Sequence, residues 1–143
     1  MVPFVPAFTS KAVKADDDSL DAHKDDAKAW RSAHPRPKAT IDDVADAIEH
    51  VRQVAGVDHV GIGSDFDGIT EWPVGLEDVS KFPALFTELA RRGWTETDLK
   101  KLAGGNVLRV FKQAEQVSAR LRKERGPSQA TIEQMDGKAR VLP

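Results

Sequence analysis

The chain has 143 residues, enough for one domain of ordinary size, and its 40% hydrophobic and 31% charged residues are the proportions of a globular protein. A formal net charge of −2 excludes a strong field that would favour nucleic acid or an anionic membrane surface. The absence of cysteine excludes disulfides, thiolate zinc sites and a cysteine nucleophile.

The first third of the chain predicts a strand, a polar excursion and a helix. Residues 1–8 form an apolar run with prolines at positions 3 and 6, which suits a buried strand that frays at the second proline. Residues 10–39 are polar and predict one modest amphipathic helix. Thr40 is an N-cap with an acid three residues later, and the apolar period after it predicts a helix that ends at Gly56.

The rest of the chain predicts a second short strand and then helices. The strand covers residues 57–63, and Ser64–Gly68 follows at its C-terminal end. Capping and apolar periodicity then predict helices over roughly 80–92, from Thr95 to Gly104, and from the cap Asn106 beyond Val117. Strands that alternate with helices indicate an α/β fold. Because two strands cannot form a stable parallel sheet alone, we expect their neighbours to lie outside this chain.

Asp65 is the strongest candidate for a chemical role. It follows a strand whose Gly61 and Gly63 leave space, at the strand end where α/β barrels place catalytic groups. A carboxylate there can transfer protons, anchor an ammonium group or bind a metal. The alternative is that Asp65 and Asp67 are turn residues that stabilise the loop at Gly68, because short Asp-Gly turns are frequent.

Other site motifs fail on this sequence. Gly61-Ile62-Gly63 is followed by Phe66 where the dinucleotide fingerprint requires a third glycine. The acidic run at 16–26 lacks the central glycine and terminal glutamate of an EF-hand loop, which favours a solvated helix face. No zinc ligand is assigned, because the four histidines form neither a His-x-His nor a His-Glu-x-x-His motif: His23, His34, His50 and His59.

Several blocks together resemble the C-terminal third of the membrane (renal) dipeptidase family. They are Val57–Gly68, Pro73–Ser80, Arg91–Trp94 and Leu102–Phe111. The resemblance implies the C-terminal part of a metal-dependent (β/α)8 TIM-type barrel of the amidohydrolase type, incomplete in this chain. It makes residues 1–120 the barrel portion and leaves 121–143 as a basic, irregular tail.

Zinc-dependent hydrolysis of dipeptides is the activity that the resemblance implies. Two zinc ions, bridged by a carboxylate and a hydroxide, would lower the pKa of bound water and polarise the scissile carbonyl. Asp65 matches the aspartate that ends the last barrel strand, with a role in proton transfer or in anchoring the substrate amino group. Phe8 matches a position that is often tyrosine and lines the substrate pocket. The metal ligands of the family match no residue here, and Met1 matches an internal position of a late barrel strand.

Three functional hypotheses follow. The first is a piece of a zinc dipeptidase whose full-length form is active, and the family pattern allows a homodimer for that form. On this hypothesis the 143-residue chain alone is inactive and prone to aggregate. The second is a non-catalytic binding or assembly module that complements another chain. The third, the weakest, is a metal-free hydrolase using Asp65 and Asp67 as a carboxylate pair. Family members are often extracytoplasmic or membrane-attached, and no signal here decides the location.

Overall fold

The computed structural model describes residues 1–135. Its internal contacts divide the chain into two compact units, Met1–Leu108 and the residues from Arg109 onward. The predicted barrel portion at 1–120 and the predicted tail at 121–143 stay predictions, and residues 136–143 of that tail lie outside the described part. No helix within residues 1–135 is long and apolar enough to cross a membrane.

In place of the strand predicted over residues 1–8, the structure has an isolated bridge at Val2 and a helix that begins at Pro6. Helix α1 covers Pro6–Thr9 because Pro6 stands in its first turn, where the fixed φ of proline suits a helix and its missing N–H is not needed. The polar excursion holds two helices rather than one, α2 at Lys11–Ala22 and α3 at Ala27–Ala33. Within residues 1–8, Val2 forms the isolated bridge and Phe4 N donates to Ser64 O over 3.2 Å.

Helix α4, Ile41–Ala55, confirms the prediction made from its cap and period. Asp43 N donates to Thr40 Oγ1 over 3.4 Å, and Thr40 N donates to Asp43 Oδ2 over 2.8 Å, which completes the capping box. Gly56 ends the helix with a φ of 89°, a conformation that glycine adopts without strain. The buried side chains of α4 include Val44 and Ile48.

The predicted strand over 57–63 is reduced to a 3-10 turn and a single parallel bridge. Val57–His59 form the turn, and Ile62 then pairs with Val2. Val2 N donates to Gly61 O over 2.7 Å, and Gly63 N donates to Val2 O over 3.0 Å. A second isolated bridge joins Thr40 to Val74, and no longer strand forms within residues 1–135. Both bridges are parallel, as a barrel of parallel strands would require. The described residues are mostly helical, however, and do not confirm the predicted part of a TIM-type barrel.

The hydrophobic core of the first unit packs α4 against α5 and the paired segments. Helix α5 covers Phe82–Arg91 and buries Leu85 and Leu89. An aromatic group joins the pairing segments to α5, because the Phe4 ring lies 5.8 Å from Phe66 and 5.6 Å from Phe82 between ring centroids. Through Phe66, this aromatic group packs the residue that follows Asp65 against the core.

The C-terminal elements begin with α6, Glu96–Lys100, whose Thr95–Asp98 capping box confirms the predicted start. A kinked turn at Lys101–Gly105, in which Gly104 has non-helical backbone angles, leads into α7, Asn106–Glu124. A short helix, α8, follows at Ile132–Met135. In the unit from Arg109 onward, apolar side chains of α7 are exposed, at Val110, Phe111 and Val117.

Candidate functional site

Asp65 lies in an exposed turn at the end of the segment that pairs with Val2. Its backbone has a φ of 62°, the left-handed region that most residues avoid and that aspartate tolerates better than most. Gly68 N donates to Asp65 O over 3.0 Å and closes the turn. The residue therefore has the turn role that the sequence left open, and its carboxylate remains exposed to solvent.

Gly68 leaves room for the Asp65 carboxylate. A Cβ atom added at Gly68 would stand 2.5 Å from Asp65 Oδ1 and 3.0 Å from Asp65 Cγ. The carboxylate therefore lies over the glycine backbone, in space that any other residue at position 68 would occupy. The sequence indicated a turn at Gly68, but it did not show that the absence of a side chain at this position leaves space for the Asp65 carboxylate.

The backbone on both sides of Asp65 is anchored. Phe4 N donates to Ser64 O over 3.2 Å, directly before the turn. Directly after it, the Phe66 ring packs on Phe4 and lies 6.0 Å from the Phe82 ring. An exposed carboxylate on a backbone held from two sides can accept a proton or bind an ammonium group with little reorganisation.

Asp67 is also exposed, and the structure does not join it to Asp65. Within the described residues no hydrogen bond or ion pair involves the carboxylate of either Asp65 or Asp67. A carboxylate pair that divides acid and base roles needs environments that separate the two pKa values. The geometry therefore lends no support to the metal-free pair.

Phe8 lies on α1, where its side chain is 75% exposed. It lines a groove of about 920 Å³ between the N-terminal helices and α4, together with Met1, Asp43 and His50. Asp65 is not among the residues that line this groove. The structure therefore does not bring the two predicted substrate contacts into one pocket, and the role of Phe8 as a pocket wall stays a prediction.

The residues present do not fit a zinc pair. Within residues 1–135, no group of three or more histidine, cysteine, aspartate or glutamate side chains is arranged to hold a metal ion. Two of the histidines stack instead on Trp30, with ring centroids 5.5 Å away for His23 and 4.5 Å for His34. His50 and His59 are exposed. Residues 1–135 therefore offer no set of side chains that could hold the zinc pair.

Comparison with known proteins finds one family. A family model described as membrane dipeptidase (peptidase family M19) matches residues 1–125. The chain is 50% identical over 95 residues to the uncharacterized dipeptidase C965.12 of Schizosaccharomyces pombe, and 51% identical over 79 residues to dipeptidase 3 of Rattus norvegicus. Among solved structures, the probable dipeptidase PvdM from Pseudomonas aeruginosa matches with a TM-score of 0.59 and 28% identity.

These matches cover much of this chain and a small part of its relatives. The two alignments span 66% and 55% of this chain, but 23% of the Schizosaccharomyces pombe protein and 16% of the rat protein. The structural match covers 75% of this chain and 34% of the Pseudomonas aeruginosa protein. The chain thus spans about a fifth of the length of the curated relatives it matches.

Proposed function

The chain belongs to the membrane dipeptidase family, peptidase family M19, and we propose that it contributes the Asp65-bearing part of a barrel that hydrolyses dipeptides. The observation that carries the proposal is the turn at Asp65. There, a family-matched segment ends in an exposed carboxylate on an anchored backbone with a left-handed φ. Strained backbone of this kind is concentrated at functional sites, because the surrounding structure must stabilise it.

The chemistry proposed for Asp65 is that of a carboxylate facing the amino end of a dipeptide. It pairs with the substrate ammonium group or moves a proton during cleavage. Phe8 supplies an apolar wall for the substrate. Zinc is the cofactor proposed for the complete barrel, and its ligands are not assigned to this chain, whose donor groups do not form a metal site within residues 1–135. The chain alone is therefore expected to hydrolyse no dipeptide.

Hydrolysis of alanyl-alanine tests this proposal. The 143-residue chain is compared with the product of the longest open reading frame that contains its codons, each with added zinc and with a chelator. We expect zinc-dependent hydrolysis by a longer product and none by the 143-residue chain. Lack of hydrolysis by the longer product, or metal-dependent turnover by the chain alone, would contradict the proposal.

Asp65→Asn in the active product tests the assignment of the residue. General acid–base contributions are typically 10²–10⁴-fold, so we expect kcat/KM to fall by about 100-fold or more. Asp67→Asn is the matched control, since it removes an exposed carboxylate from the same turn, and it should change kcat/KM less than about 2-fold. Equal losses in the two variants would instead favour the carboxylate pair.

A second candidate function is an assembly module that complements another chain. The paired segments favour it, because Ile62 N–H and C=O have no hydrogen-bond partner within the described residues and thus form an open edge. Mixing the chain with the upstream part of a family member tests this candidate. Recovery of zinc-dependent hydrolysis only in the mixture would support it, and two chains that stay separate on a sizing column would exclude it.

A further inference from the structure

Asn106 joins two parts of the chain that are far apart in sequence. It is the first residue of α7, and its side chain is buried at 6% exposure. Its amide nitrogen Nδ2 donates to Val57 O and to Val60 O, each over 2.8 Å. Both N–H groups of one side chain thus bind the carbonyl of the first residue of the 3-10 turn and the carbonyl of the residue that follows the turn.

The turn before α7 brings Asn106 to this position. Lys101–Gly105 forms a kinked turn with non-helical backbone angles at Gly104, and a Cβ atom added at Gly105 would stand 2.9 Å from Lys100 O. A residue larger than glycine at position 105 would force the turn open and move Asn106 away from its carbonyl partners. Lys101 adds a second link between the same two regions, since its Nζ lies 2.7 Å from Asp58 Oδ1.

The bound carbonyls are at the start of the segment that ends at Asp65. Between Val60 and Ser64, the other backbone hydrogen bonds of the segment all go to Val2 and Phe4, on one side of it. Asn106 therefore anchors the start of the segment through its hydrogen bonds to Val57 O and Val60 O. A buried amide that pairs both of its N–H groups is costly to disturb, because loss of either acceptor leaves a buried donor unsatisfied.

We propose that Asn106 is the positioning residue for Asp65, an inference that rests on the proposed dipeptidase function. By holding Val57 O and Val60 O, it sets where the segment begins and how it runs along Val2 and Phe4. The position of the segment in turn sets the place of the Asp65 carboxylate. A displacement of about 1 Å at a reacting group can cost about 100-fold in rate, so a residue outside the site can control it.

Asn106→Asp is the main variant, because aspartate has nearly the same size and replaces the donor with an oxygen that repels both carbonyls. In the dipeptide-hydrolysing product we expect kcat/KM to fall about 10- to 100-fold. Asn106→Gln keeps an amide donor on a longer side chain and should recover part of the loss. Lys101→Gln removes the other link between the two regions and should change kcat/KM less than about 2-fold, as expected of a partly exposed ion pair.

A double-mutant comparison separates positioning from a general structural effect. If Asn106 acts through Asp65, the effect of Asn106→Asp should shrink to less than about 2-fold in an Asp65→Asn background. A merely structural role would lower kcat/KM by the same factor in both backgrounds, and that result would overturn the inference. A kcat/KM of Asn106→Asp equal to that of the wild type would also overturn the positioning role of Asn106.

Hydrogen–deuterium exchange of the 143-residue chain tests the anchor without any activity. Asn106→Asp should accelerate exchange across 57–65, where Gly63 N–H is bound to Val2, and should leave exchange in α4 unchanged. Exchange in 57–65 that matches the wild type would overturn the inference. If no product hydrolyses dipeptides while exchange accelerates only in 57–65, the proposed function fails and the anchoring role of Asn106 stands.

Discussion

The backbone of Asp65 has a φ of 62°, and Gly68 is the residue that allows its carboxylate to lie over the turn. Aspartate is among the few non-glycine residues that tolerate this region, so the strain is modest for Asp65 and larger for most replacements. The position of the carboxylate therefore depends on the residue at 68 as well as on Asp65 itself.

Gly68→Ala should displace the Asp65 carboxylate without unfolding the protein. The added Cβ would stand 2.5 Å from Oδ1, and the atom that must move is the end of a flexible, exposed side chain. We expect the free energy of unfolding of the active product to change by less than about 1 kcal/mol, as for most surface substitutions. Dipeptide hydrolysis by the active product should fall about 10-fold or more.

Gly126→Ala is the matched control for that substitution, because a Cβ there meets no atom within 4 Å. Urea unfolding and kcat/KM are measured for both variants. Activity that is unchanged in Gly68→Ala would show that the carboxylate position is unimportant. A large loss of stability would show that the turn itself depends on the glycine.

At the scale of elements, Arg92 joins α5 to α4. It stands after the last residue of α5 and contacts Glu88 of its own helix, at 2.5 Å, and Glu49 of α4, at 2.9 Å. It also reaches two exposed carboxylates of α4, Asp42 and Asp46. The hydrogen bond to Glu88 first, and then those to Asp46 and Glu49, raise the Arg92 pKa further above its ordinary value, although partial burial of the guanidinium acts in the opposite direction. The two helices are thus held by charge as well as by the leucines of α5.

The contacts of Glu88 with Arg91 and Arg92 make stability depend on acid pH. Hydrogen bonds from Arg91 and then Arg92 lower the pKa of Glu88 to about 2. The ordinary glutamate pKa of about 4.3 applies to the unfolded chain, so this contribution is complete above that value and is lost as pH falls towards about 2. We expect the melting temperature to drop between pH 5 and pH 2, by less in Glu88→Gln than in the wild type.

Glu96→Gln is the control for this pH dependence, since Glu96 is an exposed carboxylate that pairs with Lys100 within α6. Its melting temperature should follow the wild-type pH dependence closely. If Glu88→Gln and Glu96→Gln gave the same slope between pH 5 and pH 2, the contacts of Glu88 with Arg91 and Arg92 would not be the source of the acid sensitivity.

At the scale of the whole molecule, large apolar side chains are left exposed in both units. Phe8 is 75% and Leu108 70% exposed in the first unit, and Phe111 is 63% exposed in the second. Exposed apolar patches promote association, as do open strand edges. We therefore expect the 15.7 kDa chain to self-associate in solution rather than to melt as a two-state monomer.

Light scattering behind a sizing column measures this association. Phe111→Glu should lower the apparent mass, because it places a charge in the exposed apolar stripe of α7. Gln113→Glu adds the same charge to a polar position of the same helix and should leave the mass unchanged. A monomeric wild-type chain with a sharp two-state melt would show that the exposed side chains do not drive association.

The sequence by itself determined α4, the α6 cap and the family, and it singled out Asp65 as the candidate site residue, which stays a prediction. The α4 boundaries follow from Thr40, Asp43 and Gly56, whose hydrogen bonds and backbone angles involve residues a few positions away. Such local interactions can be predicted from sequence because they depend on one short stretch of chain. The family follows from whole blocks of residues and needs no structure.

Only the tertiary structure decided what became of the two predicted strands and what holds the Asp65 segment. A strand requires partners from elsewhere in the chain, and residues 1–8 and 57–63 find one parallel bridge. Sequence reasoning cast Asn106 as a helix cap, whereas its side chain binds Val57 O and Val60 O across more than 40 positions. Such pairings depend on how distant segments meet after folding, which local propensity does not encode.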